Sequence, residues 1–428
     1  MTYEAFNDPT LAFATQQLHA GYEPAQHQGA KAVPIYQTAA HQFGSFERCE
    51  RLFSGEEEGF TYVRVSNPTN DVVERRMAAL EGGAAAVAMS SGMAAISNTF
   101  LSLVQAGDEI ASVGTLYGGT GYLFSKVLPG YGVTTNWVED PDDLDAYRAA
   151  ITPRTKAVHI ECIGNPSINI VDIEAVAAIA HDHGIPLVVD STFATPYLLR
   201  PFDFGADIVC HSATKYLGGH GTTIAGVVVE KGGFDWDNGK FPQIMEYLDT
   251  FADPEPVRRT VFTDRLRYHY LGEFGGTLSA MSAFLLLQGI ETLSLRMDRH
   301  TENALAVATF LEAHPAVRSV GYPSLPSSPY HALAQKYFPR GSGAMLSVRL
   351  KGGHEAAKRM IGRVRIFDFL ANVGDAKSMI VHPATSTHAG LPADVQARAG
   401  VFEDTLRLSV GTEDIGDLIR DLEQALAD

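Results

Sequence analysis

The stretch Ala206-Asp-Ile-Val-Cys-His-Ser-Ala-Thr-Lys-Tyr-Leu-Gly-Gly-His-Gly221 decides how this chain is read. An apolar run of β type ends in a polar cluster with one lysine, Lys215, and the glycines Gly218, Gly219 and Gly221 follow at once. Two hydroxyls, Ser212 and Thr214, stand just before the lysine. Upstream, Ile185-Pro-Leu-Val-Val-Asp190 is another buried strand that stops on a carboxylate. Taken singly, a lysine after a strand is a solvated end, and an aspartate there is an N-cap. Together, on neighbouring strand ends, they suggest pyridoxal phosphate (PLP). A lysine amine forms a Schiff base with an aldehyde. An aspartate pairs with a pyridinium nitrogen and keeps the ring an electron sink. The two hydroxyls suit its phosphate.

Outward from this stretch, strand and helix patterns alternate. Strands are expected over 84–89, 109–113, 133–138, 157–161, 187–190, 208–210 and 224–229, and helices over 69–80, from 90–93 through 103, and over 173–183. That rhythm indicates an α/β domain with a mostly parallel sheet, whose ligands collect at the carboxyl ends of strands. The segment 231–270 breaks it with Phe234, Trp236, Phe241, Tyr247, Phe251 and Phe262 and reads as an insertion. One long helix, 279–313, then leads into a C-terminal domain with strands at 345–350 and 379–381 and helices at 355–361 and 415–425. The expected division is an N-terminal arm over 1–61, a large domain over 62–280 and a smaller C-terminal α+β domain over 281–428.

A chain of 428 residues has room for two or three cores. Its net charge of −17 disfavours a nucleic-acid partner, because phosphates are repelled. An anionic cofactor must then be held by local donors rather than by the global field. Three cysteines, Cys49, Cys162 and Cys210, without pair-like spacing, suit a reducing cytoplasm better than a disulfide framework. No metal-ligand spacing appears, no signal peptide is read at the N-terminus, and no apolar run is long enough to span a membrane.

Several polar residues sit where that domain would bind a ligand. Ser90-Ser-Gly-Met93 lies between a strand and a helix, where free N–H groups bind phosphate and a glycine permits close approach. A plain βα turn is the other reading. Tyr117, in Leu-Tyr-Gly-Gly, suits either stacking on a cofactor ring or the core. Arg64, in Tyr62-Val-Arg64, suits a phosphate or the surface. Asn165, in Gly-Asn-Pro, suits a substrate carboxylate, the phenolic oxygen of the cofactor or a plain turn. Arg407 lies on an apolar strand and needs a carboxylate, either the substrate's or an internal one.

These motifs resemble the Cys/Met-metabolism family of PLP-dependent fold-type I enzymes. The resemblance runs from about Thr15 to about Asp428 and rests on Tyr62-Val-Arg64, Ser91-Gly-Met93, Leu116-Tyr-Gly-Gly, Gly164-Asn-Pro166, Asp190-Ser-Thr192 and His211-Ser-Ala-Thr-Lys-Tyr. It implies that Lys215 is the Schiff-base lysine, Asp190 the pyridinium partner and Tyr117 the stacking ring. It implies phosphate binding by Gly92, Met93, Ser212 and Thr214, and a ring contact from Thr192. Tyr62 and Arg64 would reach the phosphate from a neighbouring subunit, in a homotetramer built from dimers with shared sites. Asn165, Arg407 and Asn372 would hold the substrate, with Tyr117 and Tyr62 assisting Lys215 in catalysis. Ala371-Asn-Val-Gly-Asp-Ala-Lys-Ser-Met379 is similar to the sulfhydrylase branch, where many lyases carry a serine at the position of Asn372. The implied reaction is γ-replacement on O-acetylhomoserine by sulfide, giving homocysteine. A cystathionine γ-synthase or a γ-lyase is the alternative on the same fold.

Overall fold

In a computed structural model of the protein, residues 10–390, 396 and 399–427 are described. The first nine residues of the expected arm, 391–395, 397–398 and Asp428 lie outside them. Seven strands form the larger sheet: β1 (Ala85–Met89), β2 (Glu109–Val113), β3 (Thr134–Val138), β4 (Thr155–Glu161), β5 (Leu187–Asp190), β6 (Ile208–His211) and β7 (Gly226–Glu230). Their order is β1-β7-β6-β5-β4-β2-β3. The pairs β2–β3, β2–β4 and β4–β5 are parallel, whereas β1 runs antiparallel to β7. Strands β2, β4 and β7 are buried along their whole length or nearly so, as expected of a sheet covered on both faces. This is the mixed α/β architecture expected.

The chain divides into two compact units. The first holds 1–103, 210–214 and 222–291, and the second holds 104–209, 215–221 and 292–428. A five-stranded sheet lies wholly in the second, in the order β10-β11-β12-β9-β8. Its strands are β8 (Val317–Gly321), β9 (Met345–Leu350), β10 (Asp368–Phe369), β11 (Met379–Val381) and β12 (Thr405–Ser409). Strand β12 is central and buried throughout, which carries Arg407 into the interior.

The expected single helix over 279–313 is two, Ala280–Ile290 and Leu293–Ala313. Ser279 caps the first by accepting from the Ser282 N–H. The break at Glu291 and Thr292 coincides with the boundary between the units. Glu291 is tied to the buried Arg76 of the first unit, while the Thr292 hydroxyl accepts from Arg296 Nε in the second, at 3.2 Å. The aromatic residues of the insertion pack on one another: Trp236 stacks on Phe262 at 5.7 Å, and Phe241 meets Trp236 edge-on at 5.0 Å. Trp236, Phe241 and Phe262 are buried, so the insertion builds a small core of its own.

Candidate active site

Thr214 belongs to the first unit and Lys215 to the second, joined by one peptide bond. Each side can be built from its own residues.

In the first unit, β1 ends at Met89 and a helix runs from Gly92 to Leu103. The Ser91 hydroxyl caps that helix by accepting from the Ala94 N–H at 3.0 Å. The N–H groups of Gly92 and Met93 have no acceptor among the described residues, as the open start of a helix leaves them. Gly92 lies against Ser212, just past β6. A Cβ on Gly92 would stand 2.6 Å from the Ser212 Cβ and 2.8 Å from its Oγ. Only a residue without a side chain brings this helix start and that hydroxyl so close. Thr214 is held by Ala225: its Oγ1 accepts from the Ala225 N–H at 3.0 Å and donates to the Ala225 carbonyl at 3.2 Å. Its single proton must turn from that carbonyl to serve a phosphate. Two N–H donors and two hydroxyls with no carboxylate among them form a donor set that fits a phosphate. Elsewhere in this unit, the Arg64 carbonyl accepts from the Thr277 hydroxyl at 2.7 Å, and the side chains of Tyr62 and Arg64 are exposed.

In the second unit, Lys215 is half-buried and its Nζ donates to Asn372 Oδ1 at 2.5 Å. Asn372 reaches it because Gly374 presses on the lysine segment: a Cβ there would stand 2.6 Å from the Tyr216 nitrogen and 3.1 Å from the Lys215 Cβ. Burial, and then the positive charge of Arg407, lower the lysine to about 8. Arg407 is buried, and its Nη1 donates to Asn165 Oδ1 at 2.8 Å. Among the described residues no carboxylate lies within ion-pair distance of it. Desolvation pulls this guanidinium down to about 10. The internal carboxylate that would have explained Arg407 from within is therefore not an ion-pair partner, and a neutral amide stands beside it. Asp190 ends β5, and its Oδ1 accepts from the Thr192 N–H at 2.9 Å. Tyr117 is about half exposed at the start of a short helix.

Two buried groups here carry no motif in the sequence. Glu161 ends β4 in register with Asp190 and accepts the Tyr117 N–H at 2.6 Å. The signal that marks Asp190, an apolar strand ending on an acid, marks Glu161 as well. His388 is buried, and burial with the charge of Arg407 lowers it to about 4. A lone histidine in a loop gives no such signal.

One residue apart in sequence stand a donor set that suits a phosphate and a lysine amine lowered to about 8. The chain belongs to the Cys/Met metabolism PLP-dependent enzymes, whose family profile matches residues 14–427. Among characterised relatives it is 47% identical to a homocysteine synthase of Schizosaccharomyces pombe, over 97% of this chain and 98% of that one. It is 43% identical to an O-acetyl-L-homoserine sulfhydrylase of Leptospira meyeri, over 96% of each chain. A crystal structure of a Campylobacter jejuni chain described as an O-acetylhomoserine (thiol)-lyase, containing N'-pyridoxyl-lysine-5'-monophosphate, superposes with a TM-score of 0.89. That chain is 36% identical, and the match covers 97% of this chain and all of that one.

Proposed function

We propose that the enzyme converts O-acetyl-L-homoserine and sulfide to L-homocysteine and acetate. One observation carries the reading: a half-buried lysine, lowered to about 8 in part by Arg407, neighbours that buried arginine, which has no carboxylate within ion-pair distance among the described residues. The first suits proton transfer at an amino acid, and the second suits that amino acid's carboxylate. The naming of near-full-length relatives supplies the particular ester and nucleophile.

In this reading Lys215 would attach PLP, Asp190 would pair with its ring nitrogen, and Thr192 and Tyr117 would contact the ring. Gly92, Met93, Ser212 and Thr214 hold the phosphate. PLP, when bound, supplies an electron sink for charge at the substrate Cα. The rest falls to the chain's own residues. Arg407 and Asn165 grip the substrate carboxylate, and Asn372 aims the Lys215 amine. Lys215 takes the proton at Cα, moves a proton at Cβ, and returns both after the acetate has left Cγ and the sulfide has taken its place. Tyr117 and Tyr62 assist. Hydrosulfide in and acetate out leave the charge balanced.

The exposed Tyr62 and Arg64 support a site completed by a second copy of the chain, within a homotetramer of dimers. A cytoplasmic location belongs to this reading, and Cys49, Cys162 and Cys210 form no disulfide among the described residues. The deciding assay supplies O-acetyl- or O-succinylhomoserine with and without sulfide. Homocysteine from the acetyl ester, made only with sulfide, is expected. Release of 2-oxobutanoate without sulfide, or a requirement for cysteine as nucleophile, would move the enzyme to a γ-lyase or a cystathionine γ-synthase.

A further inference from the structure

Glu161 has no role in the reaction as laid out above, yet it is the acid most closely built into the site. Its side chain is 6% exposed at the carboxyl end of β4. Its Oε1 accepts the backbone N–H of Tyr117 at 2.6 Å. Tyr117 needs such a tie. The helix it starts, Gly118–Tyr122, has five residues, and Tyr117 caps it with no side-chain hydrogen bond. Three of those residues are glycines, the poorest helix formers after proline, so this first turn is weakly held by its own residues, although the helical path continues through Leu123–Val127. The Tyr117 ring is 48% exposed, so packing does little to aim it.

Burial favours the neutral form of Glu161, and either form of the carboxyl still offers an oxygen to the Tyr117 N–H. Burial first, and Asp190 second, raise its carboxyl well above the usual range, against the pull of the Tyr117 N–H and Arg407.

We propose that Glu161 is a positioning residue: its carboxyl group anchors the Tyr117 backbone and thereby sets the plane of the phenol ring against the bound cofactor. This rests on the reading of Tyr117 as the ring-stacking residue, and the experiment separates the two.

Holoenzyme of Tyr117→Ala, Glu161→Ala, Glu161→Gln and the Tyr117→Ala/Glu161→Ala double variant would be compared with the parent for the dissociation constant of PLP, the visible absorption band and Tm. Glu161→Ala should loosen PLP on the order of tenfold, the worth of one buried hydrogen bond, and shift the band. Glu161→Gln keeps a carbonyl acceptor and should stay within about threefold of the parent. The double variant should bind PLP no more weakly than Tyr117→Ala alone, because the two residues act as one unit. If Tyr117→Ala leaves affinity and band unchanged, the stacking role falls and the proposal with it. If Tyr117→Ala loosens PLP but Glu161→Ala lowers Tm alone, only the anchoring role falls. Additive losses in the double variant, or a glutamine variant as damaged as the alanine one, would also overturn it.

Discussion

The two sides of the Thr214–Lys215 peptide bond are built by opposite means. Before it, everything is neutral and tight: Gly92 lies against Ser212 where a methyl group does not fit, and Thr214 exchanges two hydrogen bonds with Ala225. After it stand two cations hydrogen-bonded to neutral amides: Lys215 donates to the amide of Asn372, and the buried Arg407 donates to the amide of Asn165. Holding an anion asks for fixed donors and close approach. Freeing an amine of its proton asks for burial beside another cation, and a carboxylate partner would undo it. Consecutive residues serve the two needs because they belong to different packing environments.

The largest test of this contrast is Lys215→Ala. It should lower kcat on the order of 10²–10⁴-fold and abolish borohydride fixation of PLP, while PLP is still held noncovalently by the cradle. Loss of all PLP binding would show that the neutral side does not bind by itself. Next comes Arg407→Ala, where losing a charged partner of the substrate costs about 2–5 kcal/mol in kcat/KM. KM should rise and PLP content should be kept, with Arg407→Lys recovering part of the loss because it lacks the planar fork. A variant with lowered Tm and near-normal kcat/KM would make Arg407 a structural residue.

Gly92→Ala works on the other side. Its new Cβ must displace Ser212, at about 1–3 kcal/mol for overpacking, so the PLP dissociation constant should rise while kcat at saturating PLP changes little. A large fall in kcat at full occupancy would blur the division of labour. The smallest effect concerns pH. Lowering a lysine's pKa enlarges its neutral fraction at a given pH, so the rate at which apoenzyme takes up PLP should rise through about pH 8 and flatten above it. Arg407→Ala should move that midpoint upward, since one of the two causes is removed. A rate that keeps climbing towards 10.5 would mean that burial leaves the amine unaltered.

Much of this was legible in the residues, for physical reasons. Buried parallel strands are apolar runs, and a polar residue at the end of such a run stands out, as Lys215 and Asp190 do. Other features depend on partners far along the chain. The break at Glu291 and Thr292 adjoins the tie between Glu291 and Arg76, 215 residues apart, which no local periodicity shows. The antiparallel pairing of β1 with β7 joins segments about 140 residues apart, and its strand pattern is that of its parallel neighbours. Asn372 stood out only through the motif around it; its bond to Lys215 spans 157 residues. The aromatic residues of 231–270 stood out as a break in the strand–helix rhythm, and how they pack on one another shows only in three dimensions.

The close approach of Gly374 to the lysine segment bears on how the enzyme is made. Asn372 and Arg407 emerge from the ribosome long after Lys215, and at about 5–20 residues per second the 157-residue gap to Asn372 lasts roughly 8–30 s. Through that interval the nascent chain carries an ordinary lysine, protonated and unaimed. Its reactivity toward aldehydes arrives only with the segment that carries Asn372 and Arg407, so synthesis itself times the arming of the enzyme.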